Sequence, residues 1–402
     1  GFRASHSTQS ALCELVAKLN SAKANGLTAA VAAFDMSAAF DCVVPEIMVK
    51  KLRLLGGNDS ICKWLLSFLS NRSQLVRIGN SESALLSLKY GCPQGSVLSP
   101  LLYTIYTADL EHWLGSNTAI LYADDATVIA IGQNENECIS ILEDLADNYL
   151  RFTASNFLKA NESKTVFMVI RSNHILNHVS RSLRVGKNSV CESSKMVFLG
   201  VTVNNKLSWT DHGKNVTSDI RKVNGLLSRL AANVPRNHLR PVVHGLIISK
   251  VRYCIAAFAT VRSRDTDPVN NIMRDLQLEL NRAMRLVCGT KLSDRISILE
   301  LIEKSKVPSI NHIAAETILR EIWRSRSENL PLADYLTPID SVRTRTTRSE
   351  GQGLVKADKK NSFTNSLANL WNALPLDAKT ATIPYHAYRI IKNHVKSTIP
   401  TL

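Results

Sequence analysis

Asp124 and Asp125 stand side by side in AILYADDATVIAI, residues 119–131, where they interrupt an otherwise apolar run. Like charges held together in a core repel and desolvate badly unless a cation neutralises them. Carboxylate oxygens are hard ligands that suit Mg²⁺ or Mn²⁺. A third carboxylate, Asp35, ends the apolar run LTAAVAAF, residues 27–34. An aspartate at the end of one buried strand reaches the same metal as an aspartate pair on its neighbour, which is what two-metal phosphoryl transfer requires. Lys164, at the mouth of the strand in NFLKANESKTVFMVI, has the charge to neutralise or protonate a pyrophosphate leaving group. Each feature also has a plain reading: Asp-Asp is ordinary turn chemistry, and an exposed lysine aids solubility.

The elements that must position these groups follow from periodicity and turn signals. Ile120–Tyr122 and Ala126–Ile131 read as paired strands, with Ala123, Asp124 and Asp125 as the turn. The run 27–34 reads as a buried strand from its length and the charge that ends it. Asp41, in FDMSAAFDCV, reads as the cap of a helix that begins near Pro45. Helices are expected at Pro45–Leu55 and Ser60–Leu69, and a hairpin joins Leu75–Ile78 to Ala84–Leu88 around Gly79-Asn80. In YGCPQGSVLSPLLY, Gly91, Pro93 and Gly95 form a loop, Ser99 is the expected N-cap and Pro100 the first helical residue. The helix that follows should bury Leu101, Leu102, Ile105 and Leu110, and its start can hold a nucleotide or a nucleic-acid backbone. Glu135–Phe157 is the next helix, and Val197–Trp209 is a strand pair turning at Asn204-Asn205. From about Asp211 the pattern becomes one of basic amphipathic helices: the first has Val216, Ile220, Val223, Leu227 and Leu230 along one face, and others follow near 238–259, 269–288, 294–304 and 309–326. An exposed basic loop, Asp340–Lys360, precedes closing helices at Ser362–Leu374 and Tyr385–Val395.

Composition narrows the partner. The chain has 402 residues and a net charge of +15, and its first 200 residues carry +1 against +14 for the rest. Two or three subdomains are expected, with the second half as a polyanion binder. The eight cysteines stand singly with no Cys-x-x-Cys, which fits reduced thiols inside a cell. No run approaches 18 apolar residues and no secretory signal is legible, so neither membrane nor secretion is expected. The opening residues read as mid-domain sequence, which suggests a fragment.

Taken in order, FDMSAAFD (34–41), GCPQGSVLSPLLY (91–103), YADD (122–125), LKANESKT (158–165) and FLGVTVNNKLSW (198–209) resemble the reverse transcriptase of non-LTR, LINE-type retrotransposons of the Jockey or CR1 kind. GFRASHST and SFTNSLANLWNALP extend the resemblance to both ends. It implies an α+β fold: a right-hand polymerase palm, an antiparallel sheet with packed helices, followed by an α-helical thumb and a helical C-terminal region. The implied division is 1–205 for partial fingers and palm, 206–305 for the thumb and 306–402 for the basic C-terminal region. By this resemblance Asp35 and Asp124 hold two Mg²⁺ ions (or Mn²⁺), Asp125 is auxiliary and Lys164 is the general acid. The Met36 and Ser37 backbone lies near the triphosphate, Phe40 excludes a ribose 2′-hydroxyl, and Gln94 and Gly95 line the template and nucleotide pocket. Leu199-Gly200 would form the primer grip.

The implied function is RNA-directed DNA polymerisation, with an RNA template, a DNA primer, dNTPs and the RNA-DNA hybrid as partners. The implied setting is the nucleus, with a cytoplasmic ribonucleoprotein stage. The N-terminal endonuclease and part of the fingers would lie upstream. The contrasting reading is an inactive or co-opted remnant that binds RNA or RNA-DNA hybrid. A metal-dependent nuclease leaves Phe40 and Gln94 without a role, and maturases and telomerase, which share the palm, are disfavoured because the opening and tail segments resemble retrotransposon sequence.

Overall fold

In the computed structural model, residues 1–115, 118–171, 180–264, 266–338, 355–356 and 362–401 are described. Most of the basic loop expected over Asp340–Lys360 lies outside them. The chain forms two compact units, one of Gly1–Ala4 with Gly26–Met196, the other of Ser5–Asn25 with Val197–Leu402.

The first unit is built on a four-stranded antiparallel sheet. Its strands are β1 (Thr28–Ser37), β2 (Ala119–Tyr122), β3 (Asp125–Gly132) and β4 (Lys159–Ile170), in the order β2-β3-β1-β4. β1 is central because its first residues are buried on both faces, and Val31 stands opposite Ile129 on β3 and Met168 on β4. Ala30, Ala32, Phe34 and Met36 of β1 share one core with Ala126, Val128 and Ala130 of β3. The helix Glu135–Ser155 closes this core with Leu142, Ala146, Tyr149 and Phe152, and its start is capped by Asn134, which accepts from the Glu137 amide.

Four local expectations are corrected. Ser99 is the first helical residue rather than the N-cap, and its hydroxyl donates to the Pro93 carbonyl at 2.6 Å, tying the loop to the helix. That helix ends at Tyr106, so Leu110 starts a separate turn, and Leu101 points to solvent, off the face formed by Leu102, Tyr103 and Tyr106. Asp41 caps nothing on the helix Pro45–Leu54, whose N-cap is Val44. Lys195–Phe198 pairs with Val201–Asn204, so the chain turns at Leu199-Gly200, with φ of 46° and 80°, and not at Asn204-Asn205. A left-handed turn goes where glycine makes it cheap. The hairpin around Gly79-Asn80 forms as two short ladders, Arg77–Ile78 with Ser81–Glu82 and Arg72–Gln74 with Leu86–Leu88.

The second unit is largely helical. Ile220 and Leu227 of Thr210–Leu230, Leu276 and Leu280 of Asn271–Cys288, and Ile310 and Ile313 of Ile310–Ser327 meet in one core. Buried Glu279 accepts from Arg221, Arg282 and Asn224, so its charge is paired. The expected helix over 238–259 is broken into Arg236–Val243, a π turn at His244–Ile248, Ser249–Arg252 and Ile255–Phe258. Pro241, which has no N–H to donate, sits just before the π turn. Among the described residues no helix is long and apolar enough to cross a membrane.

Candidate active site

The sheet brings Asp35, Asp124, Asp125 and Lys164 to one end of the first unit. Tyr122 pairs with Asp125, leaving Ala123 and Asp124 as a two-residue turn, so Asp125 is the first residue of β3 and not part of the turn. Ala123 is held at φ 53°, a conformation that costs a non-glycine residue roughly 1–2 kcal/mol. Phe34 on β1 faces Ala126, and the same register carried one step further sets Asp35 across from Asp125.

On its other side β1 meets a bulge. Ala33 pairs with Val166 but Asp35 with Asn161, so the four residues Glu162–Thr165 stand opposite Phe34 alone. A bulge re-aims the side chains it carries. Here the bulged stretch carries Lys164, whose Nζ lies 3.3 Å from Asp35 Oδ2. Asn161 Nδ2 donates to the same oxygen at 3.3 Å. Lys164 therefore lies within the strand rather than at its mouth, and is mostly in solvent.

Electrostatics bind the carboxylates into one group. The Asp125 carboxyl is pushed above the usual carboxylate range, first by desolvation and then by the charges of Asp124 and Asp35. Asp125 nevertheless keeps a solvent-exposed edge, so water blunts the effect. Beneath the group, Tyr103 is buried, donates to Met36 Sδ at 3.2 Å, and has its hydroxyl pushed upward by burial and then by Asp124. Tyr149, stacked on Phe34 at 4.7 Å, is pushed upward first by burial, with Tyr103 and the three aspartates adding to it.

Among the described residues no three His, Cys, Asp or Glu side chains are arranged to hold a metal ion. The donor set nonetheless suits a hard divalent cation: three acceptor-only groups of like charge, one already drawing an ammonium.

Met36 turns its side chain into the core, leaving only backbone to meet a ligand, while Ser37 is half-buried. Phe40 lies in the 3₁₀ turn Ala39–Cys42 and stacks on Tyr103 with ring centres 4.6 Å apart. Gln94 is exposed and donates through Nε2 to Asp41 Oδ1 at 3.0 Å. Gly95, at φ 85°, has open space where a side chain would be. Asn161, Tyr103 and Asp41 were not singled out as site residues by sequence reasoning. Asn161 had a legible signal, three residues before Lys164 in the same polar stretch.

A model of the family described as reverse transcriptase (RNA-dependent DNA polymerase) matches residues 1–203. The probable RNA-directed DNA polymerase from transposon BS of Drosophila melanogaster is 29% identical over 224 residues, covering 54% of this chain and 24% of that protein. The RNA-directed DNA polymerase from mobile element jockey of the same fly is 26% identical over 253 residues, covering 60% and 26%. The chain thus spans about a quarter of the length of these curated relatives. Among solved structures, telomerase from Candida tropicalis bound to a telomeric RNA fragment aligns at a TM-score of 0.38 and 13% identity, covering 78% of this chain and 50% of that one.

Proposed function

Since the chain belongs to the reverse transcriptase (RNA-dependent DNA polymerase) family, we propose that it supplies the RNA-directed DNA polymerase of a non-LTR retrotransposon, adding dNTPs to a DNA primer on an RNA template. The observation that carries this reading is the meeting of Asp35 with the Asp124-Asp125 hairpin at one sheet end, under the ammonium of Lys164.

Reverse transcriptases generally use divalent metals. Mg²⁺ held by Asp35 and Asp124, with Asp125 assisting, would lower the pKa of the primer 3′-hydroxyl and offset charge on the departing pyrophosphate. The protein's own groups do the rest. The Met36 and Ser37 backbone borders the triphosphate, the Phe40 ring excludes a 2′-hydroxyl, and Gln94 and Gly95 line the template and nucleotide pocket. Lys164, drawn to Asp35 in the free protein, turns to the leaving group as a proton donor. In this reading 1–205 are partial fingers and palm, 206–305 the thumb and 306–402 the basic C-terminal region. The basic helices hold the RNA-DNA hybrid through phosphates, in the nucleus.

A second reading, a remnant that binds RNA or hybrid without polymerising, rests on the charge of +14 carried by residues 201–402, which serves binding without chemistry. Mg²⁺-dependent extension of a DNA primer on an RNA template, compared with Asp124→Ala, decides between them. Extension that the substitution abolishes supports the polymerase. Salt-sensitive RNA binding without extension, even when the chain is embedded in a longer relative, supports the remnant.

A further inference from the structure

We propose that Asp41 is a positioning residue whose carboxylate holds the Gln94 side-chain amide in one of its two orientations and thereby tunes nucleotide selection; this rests on the polymerase reading above, in which Gln94 and Phe40 border the nucleotide. An ionised carboxylate only accepts hydrogen bonds, so it takes the NH₂ end of the amide. Gln94 Nε2 donates to Asp41 Oδ1 at 3.0 Å. That fixes the amide carbonyl and the second N–H as the groups left to face a ligand. Without the carboxylate, the amide flips freely and half its orientations offer the wrong end.

The surroundings make Asp41 the joint between two parts of the pocket. The Cys92 amide donates to the Phe40 carbonyl at 2.8 Å and the Gly91 amide to the Val43 carbonyl at 2.8 Å. A side-chain carbon at Gly91 would come within 3.0 Å of the Asp41 Cα, so loop and turn lie in direct contact and only glycine fits. Phe40, one residue before Asp41, is braced on Tyr103. The ring that excludes a sugar hydroxyl and the amide that meets the nucleotide are thus parts of one body, and Asp41 is the side chain that links them. Asp41 itself is exposed and caps no helix, so core packing does not account for its carboxylate.

The test compares steady-state dNTP incorporation by the full chain and by Asp41→Ala, Asp41→Glu, Gln94→Ala and the Asp41→Ala/Gln94→Ala double variant. The expected result is a roughly 3- to 10-fold rise in dNTP KM for Asp41→Ala, with kcat within about twofold and more misincorporation. Asp41→Glu recovers much of this, and Asp41→Ala adds nothing once Gln94 is gone. Effects that multiply in the double variant, or a loss confined to kcat, overturn the proposal. If the unmodified chain extends no primer, that failure belongs to the polymerase reading. Asp41 is then judged from the ¹⁵N resonance of the Gln94 side-chain amide, assigned by its loss in Gln94→Ala. A resonance that Asp41→Ala displaces upholds the link, and one that it leaves in place refutes it.

Discussion

Replacing Asp124 with asparagine should make the metal-free protein more stable while removing its response to Mg²⁺. Asp35 and Asp125 fall across from each other where β1 and β3 end, and Asp124 adjoins them in the turn. Two unit charges about 6 Å apart repel by roughly 3 kcal/mol at an effective dielectric of about 20. Because Asp125 has a solvent-exposed edge and Lys164 offsets part of the charge, about 1 kcal/mol of that survives. The sign follows from Asp125, whose carboxyl is raised on folding. A raised carboxyl destabilises the folded state at neutral pH, and the cost fades as the pH falls through its folded pKa. In EDTA at pH 7.5, Asp124→Asn should therefore raise the melting temperature of the first unit by about 2–4 °C, and the gain should shrink on acidification. Mg²⁺ at about ten times its dissociation constant should stabilise the unmodified chain by roughly 1.4 kcal/mol and leave the variant almost unmoved. Scanning calorimetry with and without Mg²⁺ reads both. A variant that melts lower than the unmodified chain in EDTA, or that keeps the full Mg²⁺ shift, would refute the picture of three aspartates sharing one repulsive cluster.

Two further substitutions probe other parts of the first unit. Arg171 is nearly buried and bridges Glu135 and Glu192, so Arg171→Met should cost about 3–5 kcal/mol in urea unfolding. The Glu135 carboxyl is held below its usual range, chiefly by its hydrogen bond to Arg171. The stability this brings is complete at neutral pH and is lost as pH falls through that lowered value, so the variant should also show a flatter acid limb. Phe40→Val removes the ring from the pocket and from Tyr103. It should raise rNTP use relative to dNTP by roughly tenfold or more in competitive primer extension, and an unchanged ratio would remove Phe40 from sugar selection.

The strands and helices around the carboxylates were legible because their signals are local. The run 27–34 is apolar but for Thr28 and ends at a charge, and Asp124-Asp125 interrupt an apolar stretch where the chain must turn. What could not be read was long-range. The bulge in β4 that brings Lys164 to Asp35 exists only in the pairing of two strands more than a hundred residues apart. Asp41 looked like a helix cap because Pro45 lies close in sequence, yet its partner is Gln94, 53 residues on. Ser99 looked like a cap for the same local reason, and its hydroxyl instead secures the loop through Pro93. Local composition chooses between equivalent local partners and says nothing of a nearer one in space.

The helix Thr8–Ala24 belongs with residues from Val197 onward, although about 170 residues separate them in the chain. The helix buries Leu12, Leu15 and Leu19 and lies against Ile255–Phe258, Pro331–Tyr335 and Ser362–Asn372, all made late. At ribosomal speeds of about 5–20 residues per second, this apolar face emerges roughly ten seconds or more before the first of its partners. Synthesis thus completes the sheet-bearing unit while the first helix still waits for its own, an interval in which its apolar face lacks the partners that bury it in the finished fold.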